Sequence, residues 1–111
     1  MMTWFKIAES ADELPIGPNG IAVIELNDKK ICIAKHAGQW HGFAYTCPHA
    51  GGILANGHLD AMVNIICPLH HYRFSLKNGR NTSGEGYHLK TYPVELRTDG
   101  IYLAMSTGFF A

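Results

Sequence analysis

The stretch Cys47-Pro48-His49, then seventeen residues, then Cys67-Pro68-Leu69-His70 decides how this chain is organised. Each short segment, which we call the first and the second hook, offers one thiolate and one imidazole. A hairpin's length of chain between the hooks would allow all four side chains to surround one metal centre. Two centres suit this donor set: a tetrahedral mononuclear zinc, or a [2Fe–2S] cluster with both sulfurs on one iron and both imidazoles on the other.

The mixed order of ligands within each hook distinguishes the two centres. Zinc fingers place a cysteine pair before a histidine pair, whereas each hook here carries one of each. The pattern Cys-x-His followed by Cys-x-x-His resembles the Rieske ferredoxin family. This resemblance implies one Rieske-type [2Fe–2S] cluster, bound by Cys47, His49, Cys67 and His70. A non-redox domain with a structural Cys2His2 zinc site remains the alternative, while a disulfide between the hooks would leave Cys32 unpaired.

Short apolar runs between turn residues predict an all-β fold. We expect strands at 4–8, 21–26, 30–35, 40–45, 61–66, 72–76, 89–98 and 101–105. The alternation after Leu89 places Tyr92, Val94 and Leu96 on one buried face, and Pro93 places that strand toward a sheet edge. Lys77-Asn78-Gly79-Arg80 predicts a hairpin turn with positive φ at both central positions.

The resemblance implies a more specific architecture for the single domain of residues 1–111. An antiparallel β-sandwich or barrel base is expected at about 1–46 and 78–111. An inserted small cluster-binding subdomain is expected at about 47–77. The adjacent Gly51 and Gly52 suit a backbone that bends close to the cluster.

Composition excludes several classes of function. Nine Lys and Arg balance nine Asp and Glu in 111 residues, so no bulk charge indicates a nucleic acid or a membrane as partner. The first residues lack the pattern of an export signal, and no apolar run approaches the length of a membrane span. Three cysteines, two of them in the hooks, fit a reducing compartment. These features predict a cytoplasmic protein.

The resemblance implies one-electron transfer from a reductase to an oxygenase or another oxidoreductase component. We find no nucleophile–base pair, nucleotide-binding loop or organic substrate pocket in the sequence, so no catalytic residue is predicted. The alternative within redox chemistry is a tightly bound small subunit of a nitrite-reductase-like enzyme. High-potential relatives carry a disulfide between the hooks and two hydroxyl donors near the cluster. The corresponding positions in this chain hold Gly52, Leu69, Tyr72 and Phe74, so the disulfide and both donors are expected to be missing. A reduction potential at the low end of the Rieske range is therefore expected.

The remaining histidines and Cys32 have simpler interpretations. His71 is expected near the cluster surface rather than as a ligand, because the family spacing selects His70. Solvated or locally hydrogen-bonded rings are expected at the other four, which are His36, His41, His58 and His88. Cys32, between two isoleucines, is expected to be a buried inert thiol. The glycine-bearing loop 82–86 is expected where the family often has a proline-containing loop over the cluster.

Overall fold

The computed structural model describes residues 2–49, 51–82 and 86–106. Within these residues the chain forms ten β-strands: β1 Met2–Ala8, β2 Ile21–Leu26, β3 Lys29–His36, β4 Gln39–Ala44, β5 His58–Leu59, β6 Asn64–Ile66, β7 Arg73–Ser75, β8 Thr91–Tyr92, β9 Val94–Arg97 and β10 Gly100–Ser106. Two single 3₁₀ turns lie at Ala11–Glu13 and Leu54–Asn56.

The strands form three antiparallel sheets with the orders β1-β10-β9, β2-β3-β4-β8 and β5-β6-β7. In sequence, the third sheet lies between β4 and β8, which both belong to the second sheet, within the segment expected to bind the cluster. The predicted all-β antiparallel fold is therefore confirmed. The residue bounds of the base and the inserted subdomain stay a prediction.

Strand β3 separates two apolar cores because its side chains alternate between the two faces of the sheet. Ile31 and Ile33 belong to a core shared with β10, whereas Cys32 and Ala34 belong to a core that also contains both hook cysteines. Cys32 is fully buried, as predicted, and burial raises the pKa of its thiol to about 12. The core that contains the cysteines, which we call the second core, thus connects the sheet β2-β3-β4-β8 to the hooks.

The predicted strand 61–66 is wrong in its first half. Only Asn64–Ile66 is strand, and the chain before it turns, with Val63 at a φ of 63°. One carboxylate oxygen of Asp60 accepts the backbone N–H groups of Met62 and Asn64 at 2.9 and 3.0 Å. An aspartate that binds nearby backbone donors stabilises a turn in competition with a strand.

The predicted single strand 89–98 is also wrong, because it is divided at Pro93. Strand β8 pairs with β4, whereas β9 pairs with β10 in the other large sheet. Proline has no N–H to donate to a ladder, and its carbonyl accepts the N–H of Ala104 at 2.9 Å. Leu96, predicted on a buried face, is 61% exposed. The alternation in this stretch therefore belongs to two short strands in different sheets.

The turn at residues 77–80 forms, although its predicted geometry is only partly correct. Gly79 has a φ of 79°, but Asn78 is not among the residues with positive φ. The Asn78 side-chain oxygen instead accepts the N–H of Arg80 at 2.9 Å.

In the described part of the chain, no helix is long and apolar enough to cross a membrane.

Candidate metal centre

The fold brings the two hook cysteines together inside the second core. Cys47 is 3% exposed and Cys67 is fully buried, and their thiols are hydrogen-bonded to each other. Burial raises the pKa of Cys67, and the neighbouring Cys47 thiol adds to this effect while the backbone of Leu69 opposes it. Two buried thiols in contact, neither in a disulfide, form a sulfur-donor pair.

Each hook is shaped by hydrogen bonds that close a short loop. In the first hook, the N–H of Cys47 donates to the carbonyl of Gly52 at 2.7 Å, and the N–H of Gly51 donates to the carbonyl of Cys47 at 3.0 Å. In the second hook, the N–H of Cys67 donates to the carbonyl of Tyr72 at 2.8 Å. Two successive left-handed residues, His70 at φ 70° and His71 at φ 58°, reverse the chain there. Left-handed backbone is uncommon for residues other than glycine, and residues held in it cluster at functional loops.

At Gly52, the loop that follows the first hook comes close to the second hook. A Cβ atom at this position would lie 2.9 Å from the sulfur of Cys67 and 3.0 Å from the Cβ of Leu69. Only glycine allows the loops to meet at this distance. The close approach is thus visible at Gly52, whereas Gly51 has open space around it. That either glycine approaches the cluster stays a prediction.

The two hook histidines lie beside each other, with ring centroids 5.3 Å apart and planes inclined by 62°. His49 is partly buried and His70 is exposed. The Nδ1 atom of His49 is buried and has no hydrogen-bond partner among the described residues. An unsatisfied buried nitrogen costs about 1–3 kcal/mol, and coordination to a metal would satisfy it. His49 is therefore suited to be a ligand.

Two tyrosines fix the ring of His49. Tyr72 stacks on it with centroids 4.0 Å apart and planes inclined by only 19°, while Tyr87 meets it edge-on at 4.9 Å. Aromatic contacts of this kind contribute roughly 0.5–1.5 kcal/mol each beyond burial. The role of Tyr87 was missed in the sequence, since it lies 38 positions after His49 without a motif of its own. Residues 83–85 of the expected glycine-bearing loop lie outside the described residues.

The donor set fits a two-iron cluster. A Rieske [2Fe–2S] cluster asks for only two protein ligands at each iron, thiolates at one and imidazoles at the other. The thiol pair and the imidazole pair of the hooks match that division.

Two histidines outside the hooks have contacts that the sequence did not predict. The Nε2 atom of His36 lies 2.8 Å from the carbonyl oxygen of Asp60, far along the chain. His41 is hydrogen-bonded to the backbone of Leu76, and burial lowers its pKa below the ordinary value. Both rings thus connect the sheet β2-β3-β4-β8 to the segment that carries the hooks. The expected solvated or local partners are wrong for these two residues, whereas His58, His71 and His88 are exposed.

Comparison with known proteins decides the family. The family model of the Rieske [2Fe-2S] domain matches residues 3–93, most of the chain. The chain belongs to the Rieske [2Fe–2S] domain family. The predictions of the family, the fold and a Rieske-type [2Fe–2S] cofactor are therefore confirmed.

Relatives of this Rieske domain include ferredoxin components of oxygenase systems. The ferredoxin component of the alkene monooxygenase system of Xanthobacter autotrophicus is 27% identical over 67% of this chain, and the match spans 61% of that relative's length. The ferredoxin subunit of the 3-phenylpropionate/cinnamic acid dioxygenase of Photorhabdus laumondii is 29% identical over 87% of this chain and 90% of its own. Both names agree with the predicted electron-transfer role.

A solved structure with a similar fold is named for the small subunit of an NADH-dependent nitrite reductase from Mycobacterium tuberculosis. It superimposes with a TM-score of 0.81 over 97% of this chain and 99% of that one, at 17% sequence identity. At this identity the likeness demonstrates a common fold and does not bear on function.

Proposed function

We propose that this Rieske domain is a one-electron carrier whose cluster is bound by Cys47, His49, Cys67 and His70. It would receive electrons from a reductase and pass them to an oxygenase or another oxidoreductase component. The observation that carries the ligand assignment is that the two hooks pair like donors: the thiols of Cys47 and Cys67 are in contact, and the rings of His49 and His70 are neighbours. When bound, the cluster supplies reversible uptake of a single electron.

The proposed ligands differ in how far they are exposed to water. Cys47 and Cys67 lie in the apolar core and hold their end of the centre away from water. His70 lies at the surface, so its ring is the edge that a partner protein can approach. His49 is held between these environments by the two tyrosine rings. This arrangement supports electron exchange at the surface without a substrate pocket at the centre.

The proposal includes the division of the chain into a base at about 1–46 and 78–111 and a cluster-binding subdomain at about 47–77. The small sheet β5-β6-β7 supports it, because its strands pair only with one another among the described strands. The shared second core and the His36 and His41 contacts would hold the two parts together. A cytoplasmic location is also proposed, supported by the three free cysteines.

Analysis of the purified protein tests the proposal. We expect two irons and two acid-labile sulfides per chain, a visible absorption spectrum, and the uptake of one electron per chain in a reductive titration. Stoichiometric zinc without sulfide, in protein made with ample iron, would refute the cluster-binding role. Stable co-purification with a large reductase chain would instead refute the free-carrier role and favour a permanent subunit.

A further inference from the structure

A shallow groove beside the first hook is lined by more lysines than acidic residues. It has a volume of about 510 Å³ and is lined on its charged side by Lys29, Lys30 and Lys90, with Asp28 as its acidic residue. Tyr45 and Tyr92 form part of its wall. We call this feature the lysine groove. Since the whole chain is neutral, this local excess of cations is a property of the surface and not of the bulk composition.

A tight turn and the register of the sheet bring these lysines to the same groove. Asn27 and Asp28 form a tight turn with φ values of 52° and 63°, so that β3 begins at Lys29 immediately after it. The register pairs Ile31 with Ala44, and the N–H of Ala44 donates to the carbonyl of Lys90 at 3.0 Å. The end of β4 therefore lies between the start of β3 and Lys90, and lysines approach it from both sides.

None of the three lysines forms an ion pair in the described part of the chain. The ion pairs found there join Lys6 with Glu9 and Arg97 with Glu95, both outside the groove. Glu25 lies opposite Lys30 in the β2–β3 ladder without forming an ion pair with it. An exposed lysine without an ion-pair partner is available to an external carboxylate.

Tyrosine rings give the groove a second kind of contact. The Nζ atom of Lys30 lies 5.1 Å from the ring centroid of Tyr45, and that of Lys90 lies 5.7 Å from the ring centroid of Tyr92. Cation–π contacts hold the ammonium groups near the wall of the groove. Tyrosine is also enriched at protein-binding surfaces, because its ring is apolar and its hydroxyl is polar.

We propose that the lysine groove binds an acidic segment of a redox partner protein and thereby orients the partner at the first hook. Tyr45 and Thr46 line the groove and Cys47 follows them directly in the chain. A partner that places carboxylates in the groove is thus positioned beside the centre. This inference rests on the proposed electron-carrier function. Opposite charges at such a surface mainly accelerate association and select the partner.

A peptide titration tests the groove independently of the cluster. An acetylated peptide of about eight glutamates is titrated into the isotope-labelled holoprotein at about 20 mM ionic strength, and amide shifts are followed by NMR. We expect the largest shifts at Lys29, Lys30, Thr46 and Lys90. We expect the triple variant Lys29→Gln, Lys30→Gln and Lys90→Gln to bind about tenfold more weakly, from about twofold per lysine at low salt.

The triple variant Lys6→Gln, Lys35→Gln and Lys77→Gln is the matched control, because it changes the net charge equally at lysines that do not line the groove. It is expected to bind the peptide as the native protein does. The proposal would be overturned if both variants bound the peptide equally weakly or if the amide shifts lay outside the groove. Inorganic phosphate that bound as tightly as the peptide would also overturn it. A colourless protein without iron would refute the proposed function instead, and the peptide titration would still report on the groove.

Discussion

Gly52→Ala is expected to disturb the meeting of the two hooks. The added methyl group would lie 2.9 Å from the sulfur of Cys67 and 3.0 Å from the Cβ of Leu69. Optimal contacts between heavy atoms of this kind lie at roughly 3.5–4.0 Å, so both distances fall short by about half an ångström or more. The sulfur cannot move aside easily, because Cys67 is fully buried.

The size of the effect follows from this overlap. Overpacking of a buried site typically costs about 1–3 kcal/mol, and two simultaneous contacts with fixed atoms favour the middle of that range, about 2 kcal/mol. The loop cannot simply open, since the carbonyl of Gly52 accepts the N–H of Cys47 at 2.7 Å. We therefore expect a lower free energy of unfolding and a faster loss of the visible spectrum in the presence of a chelator.

Denaturant unfolding of the holoprotein and chelator-induced bleaching provide the assay, with two alanine variants as controls. Gly86 has open space around it, so Gly86→Ala is expected to change stability by no more than about 0.5 kcal/mol. Gly51 also has open space but a φ of 73°, so Gly51→Ala isolates backbone strain, at about 1–2 kcal/mol. Gly52→Ala with native stability and native bleaching would refute the account of how the hooks meet.

Three further predictions concern residues around the centre. Burial lowers the pKa of His41 below 6.5, and His36 and Lys77 add to the effect. Because the unfolded chain then binds the His41 proton more readily, the free energy of unfolding is largest above that pH and falls in acid. In urea unfolding at about pH 7.5 and 5.5, His41→Gln should lose less stability at the lower pH than the native protein does, and an equal loss would contradict this. Tyr72→Leu should accelerate bleaching up to about tenfold by removing a ring contact, whereas Tyr72→Phe should not, and equal effects would show that the hydroxyl matters instead. Voltammetry should give a potential of about −150 mV, and a midpoint above about +100 mV would contradict the expectation that hydroxyl donors to the cluster are missing.

The hooks could be predicted from the sequence because their chemistry is local. Cys47 and His49 are two residues apart, and Cys67 and His70 three apart, so residue type and spacing alone define each donor pair. Strands such as Ile21–Leu26 were equally predictable, since a run of apolar and β-branched residues between turn signals leaves few alternatives.

What the sequence could not reveal depends on contacts between distant residues. The alternation around Pro93 reads as one strand until the competing partners β4 and β10 are known. Asp60 looks like an ordinary loop residue until its carboxylate is seen to turn the chain. Tyr87 and His36 have no local motif, and only the fold brings them to their partners.

We propose that two thiolates and two imidazoles, from the two hooks, hold one [2Fe–2S] cluster. Pulsed EPR of the reduced protein counts the histidine nitrogens coupled to the cluster. We predict two in the native protein, one in His70→Cys, and two in the matched control His71→Gln. A native protein with no such nitrogens, or a count that falls when His71 rather than His70 is replaced, would contradict the assignment.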